Sequence, residues 1–102
     1  MATRLETLQS MVAQNPGDSF SRYGLAMELR NTGDLEGAMR EFGELRRLNP
    51  DYTATYFHAG QTLERLGRID EARAFYQEGI EAATRKGDLH ARSELQTALD
   101  LL

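Results

Sequence analysis

The chain has no cysteine, no tryptophan and only two prolines, and no apolar run approaches the roughly 18 residues a membrane-spanning helix needs. Each shortage removes a class of protein. Without thiols there can be no disulfide, no thiolate zinc site and no cysteine nucleophile, and a reducing, cytoplasmic setting is expected. Basic residues are in the minority, 12 against 16 acidic ones, for a net charge of −4. They form no block longer than a pair such as Arg85-Lys86. Nucleic-acid binding draws its affinity from cations concentrated against phosphates, so no nucleic-acid partner is expected. The opening segment is broken by Glu6, Gln9 and Ser10 before any apolar stretch develops, so it does not read as a signal peptide. No membrane association is expected.

Reaction chemistry is equally thin. The two histidines, His58 and His90, fall on different predicted helices with no third ligand at metal spacing. There is no His-Glu-x-x-His, no glycine-rich phosphate loop and no nucleophile elbow. The carboxylates of Asp70-Glu71 and of Glu36, Glu41 and Glu44 read as solvated helix faces. The expectation is no catalytic residue, no cofactor and no metal, and hence no enzyme.

What is present is a period. Asn15-Pro16 returns as Asn49-Pro50, and Gly33 returns as Gly67, each at an interval of 34 residues. In the same register Tyr23 aligns with Phe57, Ala26 with Gly60, Leu29 with Leu63, Ala38 with Ala72 and Phe42 with Tyr76. Punctuation, small residues and aromatic residues thus recur together, as an internal repeat requires. Within each period the apolar spacing predicts two helices, 19–32 and 35–48, then 53–66 and 69–85. Gly33 and Gly67 can adopt the left-handed conformation that ends the first helix, and Asp34 can cap the next. Pro50 disfavours helix at Asn49. Such short connections make neighbouring helices antiparallel. Ala26, Gly60, Ala38 and Ala72 mark places where helices should approach closely, and Ala38 and Ala72 should be buried.

This pattern resembles the tetratricopeptide repeat (TPR), as found in small bacterial TPR-domain proteins. The matching residues are Leu25-Ala26, Leu29, Ala38, Phe42 and Pro50 in one repeat. In the next they are Tyr56, Ala59-Gly60, Leu63, Ala72 and Tyr76. Arg22 stands where the family favours an aromatic residue, and Thr84 stands where it favours proline, so the last hairpin helix should run on towards Gly87. The resemblance implies an all-α fold of about six helices, built as antiparallel hairpins stacked in a short right-handed superhelix. The whole of 1–102 is expected to be one complete domain: an N-terminal half repeat (1–16), repeats at 19–52 and 53–86, and a C-terminal capping helix (87–102). In the half repeat Leu8 aligns with Phe42 and Met11 with Leu45. In the cap Ala91, Leu95, Ala98, Leu99 and Leu102 share one face.

The resemblance also implies that the first helix of each hairpin lines a concave groove and that the domain is a protein–protein interaction scaffold binding a peptide or helix there. The residues this assigns to the groove are Phe20, Tyr23, Met27, Arg30 and Asn31 on one helix. On the other they are Phe57, His58, Gln61, Glu64 and Arg65. The lysine and asparagine with which one TPR subclass clamps chaperone C-termini are absent, with Tyr23, Met27, Phe57 and Gln61 in their places. The partner is a protein or peptide of unspecified identity. The alternative is a self-associating structural protein, a homodimer formed through the terminal helix.

Overall fold

The repeat period is realised as helices throughout. The computed structural model describes all 102 residues and contains six α-helices: α1 (Arg4–Gln14), α2 (Ser19–Asn31), α3 (Leu35–Leu48), α4 (Ala54–Arg65), α5 (Ile69–Lys86) and α6 (Leu89–Asp100). Consecutive helices pack as antiparallel pairs. The chain divides into two compact units, Met1–Asn49 with α1 to α3 and Pro50–Leu102 with α4 to α6.

Side chains at the helix ends explain where the helices begin and stop. Thr3 and Glu6 form a reciprocal capping box at the start of α1, with Glu6 N donating to Thr3 Oγ1 at 3.1 Å and Thr3 N to Glu6 Oε1 at 3.0 Å. These bonds to its charged form hold the Glu6 carboxyl below its usual pKa. Asp34 accepts from Gly37 N at 2.8 Å and so starts α3, as expected. Gly33 and Gly67 sit at φ +95° and +76°, the left-handed region in which a side chain is strained. Both hairpins break there. α5 runs on to Lys86 and is closed by Gly87, also left-handed.

In the first unit α2 packs against both α1 and α3, and Leu8, Leu25, Ala26, Ala38, Phe42 and Leu45 are buried. Met11 departs from the expected alignment with Leu45: Met11 is 42% exposed, whereas Leu45 is fully buried. α1 and α3 each pack on α2 alone, but α1 is shorter, 11 residues against 14, and buries only Leu8, whereas α3 buries Gly37, Ala38, Phe42 and Leu45. In the second unit α4, α5 and α6 contact one another pairwise, and Tyr56, Ala59, Leu63, Ala72, Tyr76 and Leu95 have no exposure at all.

Two glycines set the spacing of that second unit. A Cβ on Gly60 would lie 2.2 Å from Cε1 of Tyr76, and one on Gly79 would lie 2.4 Å from Tyr56 Cβ. The backbone of α4 therefore rests on the Tyr76 ring of α5, and the backbone of α5 rests on Tyr56 of α4. Each helix gives up side-chain volume where the other presents an aromatic residue.

The two hairpins solve one problem in two ways. Arg22 and Tyr56 occupy the same place in the period, and both reach back to the carbonyl of the preceding proline. Arg22 Nη2 donates to Pro16 O at 3.1 Å, and Tyr56 Oη donates to Pro50 O at 2.5 Å. Across the hairpin Tyr56 meets the ring of Phe75, with centroids 6.4 Å apart. At the equivalent place Arg22 Nη1 meets the Glu41 carboxylate at 2.7 Å. An ion pair in one hairpin thus replaces an aromatic pair in the other. It is a costlier solution, since Arg22 Nε is buried without a hydrogen-bond partner.

Two predictions follow from this packing. Gly60→Ala should destabilise the protein by about 1–3 kcal/mol, because the new methyl must displace a ring held on all sides. A denaturant melt measures this, and an unchanged midpoint would show that the Tyr76 ring can yield. Glu41→Ala should cost about 2 kcal/mol by leaving the Arg22 charge half-buried and unpaired, less than the roughly 3–5 kcal/mol of a wholly buried pair. Arg22→Tyr combined with Glu41→Phe should be neutral or stabilising in the same assay.

Candidate functional site

α4 is apolar on more than one side. Tyr56, Ala59, Gly60 and Leu63 face its own hairpin and are buried. Phe57, Gln61 and Glu64 follow at intervals of four and three residues and so share a second face. α6 carries a matching stripe, Glu94, Thr97, Ala98 and Leu101, at helical spacing. Leu95, next to this stripe, is fully buried and anchors α6, its Cδ1 reaching within 3.0 Å of where a Gly79 Cβ would stand. The two stripes face one another across a cleft of about 390 Å³. Tyr76 of α5 forms part of its lining.

The cleft is aromatic on one side and ringed by polar groups. Phe57 is half-buried, lies 6.5 Å from Tyr76 between ring centroids, and receives His58 edge-on at 5.4 Å. It therefore both packs between helices and presents a surface. Tyr76 donates its hydroxyl to Glu64 Oε2 at 2.5 Å. Burial, and then the bond to this carboxylate, push the phenol pKa well above its ordinary value of 10.0. The Tyr76 hydroxyl is thus a permanent donor that fixes the Glu64 side chain. Arg65 lines an adjoining depression with Gln61 and Glu64.

Asp88 holds the second wall in position. Its Oδ1 accepts from Ala91 N at 3.1 Å, capping α6, and its Oδ2 accepts from Thr53 Oγ1 at 3.2 Å, just before α4 begins. One carboxylate thus ties the starts of the two cleft helices together. Asp51, in the turn before α4, adds an ion pair to Arg85 at 3.0 Å near the end of α5.

The sequence-assigned residues of the first unit lie on α2. Phe20 is 71% exposed, Asn31 is exposed, and Tyr23, Met27 and Arg30 are half-buried. They follow one another at helical spacing on the side of α2 away from buried Ser21, Leu25 and Ala26. In the second unit the structure brings Phe57, Gln61 and Glu64 together in the cleft, Arg65 lines an adjoining depression, and His58 lies edge-on to Phe57. Sequence reasoning missed the rest of that cleft: Tyr76, Glu94, Thr97, Ala98 and Leu101. The signal for Tyr76 was a recurring aromatic, in register with Phe42, that could pack where the repeat keeps a small residue at Gly60. For α6 it was the spacing of Glu94, Thr97, Ala98 and Leu101 along one face.

Comparison with known proteins agrees with the fold. A family model described as the tetratricopeptide repeat matches residues 29–99, and the chain belongs to that family. A tetratricopeptide repeat domain protein from Salinibacter ruber is 43% identical in sequence, and its crystal structure matches with a TM-score of 0.76 over 80% of this chain and 91% of that one. The TPR repeat-containing protein PA0015 of Pseudomonas aeruginosa is 26% identical over 95 residues, which is 93% of this chain and 90% of that protein. PcrH, solved in complex with the chaperone binding region of PopD, shares the fold at 16% identity, with a TM-score of 0.89 over 95% of this chain and 74% of that one. No helix is long and apolar enough to cross a membrane.

The cap at α6 gives a pH dependence. The backbone bond from Ala91, helped by Thr53, lowers the Asp88 pKa below its ordinary 3.8. The charged form therefore favours the folded state. That stabilisation is fully present above the unfolded value and is lost as the pH falls through the lowered folded value. Amide hydrogen exchange in α6 should show wild type better protected than Asp88→Asn at neutral pH, with the difference vanishing in acid. Equal protection of the two proteins at neutral pH would contradict the role given to this carboxylate.

Proposed function

We propose that the protein is an interaction module that holds a segment of another protein, extended or helical, against the outward face of α4. The observation that carries this reading is the cleft of the second unit. Its volume lies within the roughly 300–1,000 Å³ typical of binding pockets, and its mixture of rings, one amide and carboxylates suits a peptide side chain. Three of its residues, Phe57, Gln61 and Glu64, are ones the repeat pattern assigns to the lining helix. In the first unit Phe20, Tyr23 and Met27 offer partly exposed apolar surface, with Arg30 and Asn31 for polar contact. That PcrH, of the same fold, is solved with a segment of another protein supports the reading. We assign the chain no reaction and no cofactor.

Self-association through the terminal helix draws less support. The outer surface of α6 presents Arg92, Ser93 and Gln96 around a single large apolar side chain, Leu89. That surface suits a solvated cap better than a dimer core.

The test begins by isolating a binding partner by affinity capture and measuring it by calorimetry against Met27→Ala, Phe57→Ala and Leu101→Ala. Glu44→Ala serves as the control, since Glu44 lies on α3 and is paired with Arg47. Circular dichroism first establishes that each variant folds, because Phe57 also packs on Tyr76. Phe57→Ala should weaken binding by about 2 kcal/mol, as for an aromatic anchor, and Glu44→Ala should leave it unchanged. A folded Phe57 variant that binds like wild type, alongside a failing Glu44→Ala, would move the site off this face.

A further inference from the structure

The cleft between α4 and α6 has a definite charge. Glu64 stands on one wall and Glu94 on the other, and no lysine, arginine or histidine is among its lining residues. Glu64 is engaged only by the neutral Tyr76 hydroxyl, which orients the carboxylate without cancelling its charge. Glu94 is exposed on α6. Arg65, one residue beyond Glu64, lines the adjoining depression and not the cleft itself. The lining also includes half-buried Phe57, the fully buried Tyr76 ring beneath it and Leu101, which is 82% exposed. A large apolar side chain held open to water beside a partly exposed aromatic ring is a surface that gains by being covered.

From this juxtaposition we infer that the cleft takes an aromatic or long aliphatic side chain carried on a segment rich in lysine or arginine. The inference rests on the proposed reading of the α4 face as a protein-binding surface and adds the chemistry of the partner. The apolar side chain enters between Phe57 and Leu101. Flanking cations pair with Glu64 on one side and Glu94 on the other. The parallel course of α4 and α6, each antiparallel to α5, sets these carboxylates on opposite walls, so cations on both sides of the anchor are used. An acidic segment would meet two uncompensated like charges and be rejected, which is how rim charges select partners. The net charge of −4 acts in the same sense at longer range by drawing basic segments in.

The test uses the intact chain as bait for a random linear-peptide display library, followed by synthesis of the enriched peptides and mapping of each by amide chemical shifts. The expected result is enrichment of peptides with one aromatic or long aliphatic residue between lysines or arginines. Their shifts should centre on Phe57, Gln61, Thr97 and Ala98. The double variant Glu64→Gln with Glu94→Gln should bind them about three- to tenfold more weakly and with a flatter dependence on salt. Both substitutions are gentle, since Glu94 is exposed and glutamine still offers Tyr76 an acceptor. Peptides that map to the cleft but lack basic residues, or bind the double variant as tightly as wild type, would overturn this inference and leave the proposed function standing. No enrichment over a blank surface, or enrichment mapping outside α4 and α6, would overturn both.

Discussion

The approach of α4 to α5 at Gly60 is the constraint on which the second unit depends. No side chain larger than hydrogen fits between the α4 backbone and the Tyr76 ring. Because the ring lies there, its hydroxyl reaches Glu64, and its edge supports Phe57. One glycine thus determines the depth of the hairpin contact, the lining of the cleft and the orientation of a cleft carboxylate. The reciprocal contact at Gly79 brings Tyr56 and Leu95 onto α5, which places α6 where it can face α4. Binding surface and core are in this way parts of one packing arrangement, and a side chain such as Phe57 serves both.

Much of the fold was legible because the repeat writes it twice. The two left-handed glycines, the α3 limits at Leu35 and Leu48, and the burial of Ala38 and Ala72 all follow from residues that recur in register. Legibility failed where recurrence failed. Met11 looked like Leu45 in alignment, yet the shorter α1 buries only Leu8 against α2 and leaves Met11 exposed. α6 does not repeat the pattern, since Ser93 and Glu94 fall where the small pair Ala59-Gly60 would recur. α5 extends through Lys86, 18 residues against 14 in α3, because helix continues where the preceding repeat turns at Asn49 and Pro50, and α6 still starts 35 residues after α4, as α4 does after α2. Its stripe from Glu94 to Leu101 has to be read by its own spacing, and only the tertiary contact shows that it meets α4.

The division of labour along the chain also becomes clear at the turns. Polar residues there do more than end helices. Asp88 caps α6 and holds Thr53, and Asp51 binds Arg85, so residues of the turns that precede α4 and α6 fasten the same end of the second unit. The cleft lies on helices that are joined at their starts through these contacts. Its walls are therefore positioned by short-range hydrogen bonds and ion pairs as well as by apolar burial, and such polar ties respond to pH and salt while the buried rings do not.

The ion pair between Arg22 and Glu41 has a consequence for assembly. A chain of similar hairpins can mispair during folding, one helix closing on the wrong partner. If α2 closed on α5, the Arg22 guanidinium would be set against Phe75; if α4 closed on α3, the Glu41 carboxylate would be set against Tyr56. Each exchange strands a charge in an apolar place, whereas the native pairings leave none. The position at which the hairpins differ, Arg22 against Tyr56, would therefore make two similar hairpins distinguishable as they close.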